Sequence, residues 1–74
     1  MEKIRLVTMR NGDIDVAEVL WATRLGKGHY RLENEPVSPC HSFGGQVRTI
    51  FSEGIETWRG EAPTDDGEPL EMAA

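Results

Sequence analysis

A single cysteine, Cys40, stands among the 74 residues. One thiol cannot close an internal disulfide, and a small exported domain normally needs several, so the disulfide-stapled secreted class is excluded. No apolar run is long enough to span a bilayer, and no positively charged leader precedes an apolar segment. A cytoplasmic location without a membrane partner is therefore expected, in the host cytoplasm if the gene is phage-encoded. Sustained helical periodicity and internal repeats are also missing. At 8.3 kDa the chain can form one domain with a small core, which argues against a deep catalytic cavity or a small-molecule substrate.

Bases are missing beyond Gly60, where Glu61, Asp65, Asp66, Glu68 and Glu71 lie. The formal net charge of −5 thus belongs to that end, and the rest of the chain balances 8 acids against 8 bases. A duplex-binding protein gathers Lys and Arg on one face, so this composition disfavours nucleic acid as a direct partner. Gly, Pro, Asp, Glu and Thr dominate residues 61–74, which are expected to form a disordered acidic tail behind a folded body of residues 1–60.

What is present is alternation. Ile4 to Met9 reads as a strand, and Asn11-Gly12 after it is a strong hairpin signal because both central residues of a type I′ turn need positive φ. That turn pairs Met9 with Ile14, Val7 with Val16, Arg5 with Glu18 and Ile4 with Val19. A second hairpin is centred on Gly26-Lys27-Gly28. A type II′ turn at Gly26-Lys27 sets Trp21 opposite Leu32 and Thr23 opposite Tyr30. Together the two registers give a core face of Ile4, Leu6, Ala17, Val19, Trp21, Tyr30 and Leu32. The reverse face then carries Val7, Met9, Ile14, Val16 and Leu20, either covered by a curl of the sheet or exposed to a partner.

Two prolines and two glycines make Glu35 to Gly45 a loop crossing between parts of the sheet. Gln46 to Ser52 reads as a strand, Glu53-Gly54 as a turn and Ile55 to Arg59 as a last short strand. The expected fold is all-β, a small curled antiparallel sheet or barrel of about five short strands.

Leu20-Trp21-Ala22, Leu25-Gly26-Lys27-Gly28, Tyr30-Arg31-Leu32-Glu33-Asn34 and Pro36 resemble the core signature of a family of small bacterial domains of unknown function. The likeness spans roughly Glu18 to Val47 and implies a fold neighbourhood, with no reaction attached. In size, acidity and lack of catalytic apparatus the chain also resembles phage-encoded regulators of host RNA polymerase.

Catalytic patterns are weak. Cys40 and His41 adjoin, but neighbours in an extended chain point to opposite sides, and no third orienting group is evident. His29, Cys40 and His41 do not have the paired spacing of a structural zinc site, and no cofactor is expected. Gly26-Lys27-Gly28 is too short for a phosphate loop, and Glu33 and Glu35 have no cleft to work in. Trp21 and Tyr30 could form a stacking platform for single strands, but without a basic groove they read as core. The expected function is therefore that of a non-enzymatic protein-binding regulator of a larger machine, with RNA polymerase the first partner to test. Specificity would lie in Val7, Met9, Ile14, Val16 and Leu20 or in the Glu35 to Gly45 loop, and Asp65, Asp66 and Glu68 would steer association. A nucleic-acid-binding small barrel is the alternative.

Overall fold

A computed structural model describes residues 1–62. Six strands follow one another: β1 (Glu2–Arg10), β2 (Asp13–Gly26), β3 (His29–Leu32), β4 (Gln46–Arg48), β5 (Ile50–Ser52) and β6 (Ile55–Glu61). They form one sheet in the order β4-β3-β2-β1-β6-β5. The two edge strands, β4 and β5, are separated in sequence only by Thr49. A one-residue link between opposite edges requires the sheet to curl into a half-barrel. The all-β curled sheet expected from the sequence is the fold.

Thr49 makes the corner. Its side chain is buried, its N–H donates to the Gly28 carbonyl at 2.9 Å, and its hydroxyl donates to Glu56 Oε1 at 2.7 Å. The single strand expected from Gln46 to Ser52 is therefore two, one pairing with β3 and the other with β6. The same crossing brings β6 alongside β1 in parallel, so the sheet is not purely antiparallel. This last strand also continues past Arg59 to Glu61, and the Ala62 N–H donates to the Met9 carbonyl at 2.7 Å.

Asn11 and Gly12 have φ of 53° and 86°, and Glu53 and Gly54 have 54° and 85°, the paired positive values of type I′ turns. At the middle turn Gly26 pairs with His29, so the turn residues are Lys27 and Gly28, and the positive φ of 66° falls on Gly28. The type II′ turn expected at Gly26-Lys27 does not form.

Each of the first two hairpins carries a bulge, and these two bulges decide which residues are inside. Met9 pairs with Ile14 as expected, but Thr8 then pairs with Val16, leaving Asp15 over. Arg24 pairs with Tyr30 and Gly26 with His29, leaving Leu25 over. Side chains alternate strictly between faces, so one extra residue exchanges the faces of everything beyond it. Ile4 consequently meets Leu20, and Ala22 meets Leu32. The core is Ile4, Leu6, Leu20, Ala22, Tyr30, Leu32 and Val47, with Trp58 packed against it. Ala17, Val19 and Trp21, expected inside, are exposed, and Leu20, expected on the reverse face, is buried.

Candidate interaction surface

The bulges leave a defined set of side chains on the outer, convex face. Along β1 these are Lys3, Arg5, Val7 and Met9, and along β2 they are Ile14, Ala17, Val19 and Trp21, paired across the two strands. Ile14 is 60%, Val19 54% and Trp21 44% exposed. Val7 is buried between its cross-strand partners Ala17 and Arg59. The result is an apolar stripe along β2 on the outside of the sheet, with Val7 and Met9 of β1 beside one end of it. The Lys3 ammonium lies 5.2 Å from the centroid of the Trp21 ring, within reach of a cation–π attraction.

Charge is spread over both faces. Lys3, Arg5, Arg31, Arg48 and Arg59 fall on outer-face positions together with Glu33 and Glu61, whereas Glu2, Glu18 and Glu56 fall on inner ones together with Arg24. Two outer cations have acidic partners: Arg5 pairs with Glu53 at 3.0 Å, and Arg31 pairs with Glu33 at 3.1 Å. The Thr23 hydroxyl and the Arg31 guanidinium together hold the Glu33 carboxyl below its usual range.

The inner acids have structural partners. The Tyr30 hydroxyl donates to Glu2 Oε1 at 3.0 Å, and burial together with that carboxylate holds the phenol above its ordinary pKa. Glu18 anchors the loop of residues 33–45. Its two carboxylate oxygens accept from Val37 N–H and Ser38 N–H, each at 2.9 Å. Because β3 and β4 are neighbours, this loop does not cross between distant parts of the sheet. It is a strap that passes over the inner face and returns.

The strap is fixed along its length. Ser38, 2% exposed, shares a hydrogen bond of 2.8 Å with the hydroxyl of Thr8, and Cys40 N–H donates to Ser38 Oγ at 3.2 Å. The Cys40 thiol donates to the Glu61 carbonyl at 3.6 Å. His41 meets the Trp58 ring edge to face, with centroids 4.3 Å apart. Its Nε2 is buried without a hydrogen-bond partner, and burial lowers its pKa, with the Glu18 carboxylate opposing. Ser38, Cys40, His41 and Glu18 thus share one end of the half-barrel, where Nε2 makes no hydrogen bond to any of them. Among the described residues no group of three or more His, Cys, Asp or Glu is placed to hold a metal ion. The described residues form no helix long and apolar enough to cross a membrane.

The residues singled out from sequence therefore scatter. Val7, Met9 and Ile14 share the outer face, Val16 lies half-buried on the inner one, and Leu20 is in the core. Asp65, Asp66 and Glu68 lie outside the described residues, as does the expected tail beyond Ala62; its first two residues are ordered, Glu61 within β6 and Ala62 bonded to Met9. Sequence reading missed Val19 and Trp21 as surface residues. No local signal marks Asp15 or Leu25 as bulged, so only a comparison of one-residue slips of each hairpin could have exposed the choice. No family model, curated protein or solved structure matches the chain.

Proposed function

We propose that the protein is a non-enzymatic protein-binding module, and that it binds through the outer face. The observation that carries this reading is the stripe of Ile14, Val19 and Trp21, three large apolar side chains on one sheet face, each more than 40% exposed. Large apolar groups aligned on the surface of a domain with so small a core are retained at a cost in solubility, which fits a surface that a partner covers. The polar groups at the other end support the same reading: Glu18, Ser38 and Cys40 are engaged in holding the strap.

The partner class follows from charge. A body with little net charge joined to a segment rich in acids suits a large machine whose own surfaces are basic because it handles nucleic acid. RNA polymerase is the partner to test first, with the protein acting as a regulator of transcription. In a purified transcription assay at matched salt, the parent should alter initiation or termination at stoichiometric concentration. Val19→Asp should abolish the effect without lowering the thermal midpoint. Neutralising Asp65, Asp66 and Glu68 should slow binding. No complex at micromolar concentration would remove RNA polymerase as the partner. An unaltered effect of Val19→Asp would remove the outer face.

A further inference from the structure

Trp21 stands in the middle of a row of three. Lys3 is its partner on β1, and on the other side the Glu33 N–H donates to the Trp21 carbonyl at 2.9 Å. The apolar stripe along β2 therefore has a cation on one flank and a carboxylate on the other. Lys3 is exposed, and apart from its contact with the indole ring it has no ionic partner among the described residues. Glu33 accepts from Thr23 and Arg31 through Oε2 alone, which leaves Oε1 open on the outer face. From Trp21 the stripe runs through Val19 and Ala17 to Ile14, roughly 20 Å at ~3.4 Å per residue.

We propose that a second copy of this chain covers the stripe, with a two-fold axis running along β2 between the two outer faces. Turning one copy over about that axis exchanges the flanks. Lys3 of each copy then stands over Glu33 of the other, while Trp21, Val19 and Ile14 meet their own counterparts. The contact is isologous, so the charge match occurs twice. Both outer faces are convex, so they touch along the stripe and part on either side, where only long side chains reach across. An apolar line between polar flanks is the usual anatomy of a specific protein contact. Arg5, on the same flank as Lys3, brings its own counter-ion in Glu53.

Other ways of covering the stripe fit less well. A two-fold axis across the strands would set Arg5 beside Arg59 of the second copy, and like charges at close range oppose association. A nucleic-acid strand would meet Glu33 and Glu61 on the same face, with Trp21 the only aromatic side chain on the stripe to stack against. The inference rests on the outer face being a binding surface and adds that the free protein masks it. Any partner that uses the stripe has to displace the second copy. A line of contact this short buries little area, which makes the pairing weak and dependent on concentration.

The full chain, isotopically labelled, should be followed by sedimentation and by its resonances at low salt, from about 10 µM to about 1 mM. Its apparent mass should rise from one chain toward two, and the resonances of Ile14, Val19 and Trp21 should move with it while those of Val37 and Phe43 stay. Lys3→Glu and Glu33→Lys should each weaken the association roughly tenfold, because each sets like charges across the axis twice. Both side chains lie on the outer face, so the dispersed spectrum of the fold should persist in each variant. An equal mixture of the two variants should regain the association, since every new carboxylate then meets a new ammonium. A parent that stays a single chain throughout, variants that associate as the parent does, or a mixture that fails to regain association would each overturn the inference. If the parent stays a single chain while Val19→Asp abolishes its effect on RNA polymerase, only the second copy falls. If Val19→Asp abolishes self-association and leaves the effect on RNA polymerase unchanged, the second copy stands and the outer face is not where that partner binds.

Discussion

Lys3 and Trp21 face each other across β1 and β2, with the ammonium 5.2 Å from the indole centroid, on the side of the sheet away from the core. One residue along, Leu20 lies under the sheet opposite Ile4, 8% exposed. The larger of two adjacent apolar residues is thus outside and the smaller inside.

Replacement of the two should separate them clearly. Trp21→Ala removes an exposed ring and an exposed cation–π contact, so it should cost only about 0.5 to 1 kcal/mol. Leu20→Ala removes side-chain volume from the core and should cost about 2 to 5 kcal/mol, much of the stability of a domain this size. Urea unfolding of both variants decides the matter. A larger loss for Trp21→Ala would place the indole in the core and reverse the two faces.

Much of the fold was legible because hairpin turns and alternation are local. Asn11-Gly12 and Glu53-Gly54 announced their turns, and Ile4, Leu6, Tyr30 and Leu32 are core residues as expected. The two bulges were not legible. An unbulged first hairpin pairs Arg5 with Glu18, an attractive ion pair, and nothing near Asp15 argues against it. The competing register is better only when the whole molecule is counted, since Glu18 then faces inward to anchor the strap and Leu20 fills the core. The parallel β1–β6 pairing was hidden for the same reason: it depends on the Thr49 corner, a tertiary event. The surface stripe inherits its composition from those bulges, so it was missed together with them.

Gly60 supplies the second prediction. A Cβ built there would collide with Cζ2 of Trp58, which means that the indole folds back over the bare backbone of Gly60. The ring in that position is also the one His41 meets edge to face. Gly60→Ala should therefore displace Trp58, loosen the strap and cost about 1 to 3 kcal/mol, as overpacking typically does. Amide exchange should rise at Ser38 and Cys40, whose N–H groups are held within the strap. Unchanged exchange there, with Trp58 fluorescence also unchanged, would show that the ring does not depend on the glycine. Gly12→Ala makes the contrast, since no atom lies within 4 Å of a Cβ there and any cost reflects the φ of 86° alone.

The last prediction is the pH dependence set by His41. Burial disfavours the charged imidazolium, so the pKa of His41 in the folded protein lies below its ordinary value of 6.5, although the Glu18 carboxylate pulls the other way. The unfolded chain binds a proton at this site more readily than the folded one. Stability contributed by the neutral ring is therefore fully present above about pH 6.5 and is lost as pH falls from there through the lowered folded value. The physical cause is visible in the site: Nε2 is buried with no partner, so a proton placed on it meets neither water nor an acceptor unless the strap moves. Unfolding free energy measured between pH 7.5 and pH 5 should fall with acidification, and exchange protection at Ser38 and Cys40 should fall with it. His41→Gln cannot acquire the charge, so it should flatten that slope whatever it does to stability at pH 7.5. The Glu33 carboxyl, held below its usual range, also loses its contribution on acidification, but in a lower window, below about pH 4.5. A slope between pH 7.5 and pH 5 that survived His41→Gln would assign the titration to another group and leave the strap indifferent to protonation of His41.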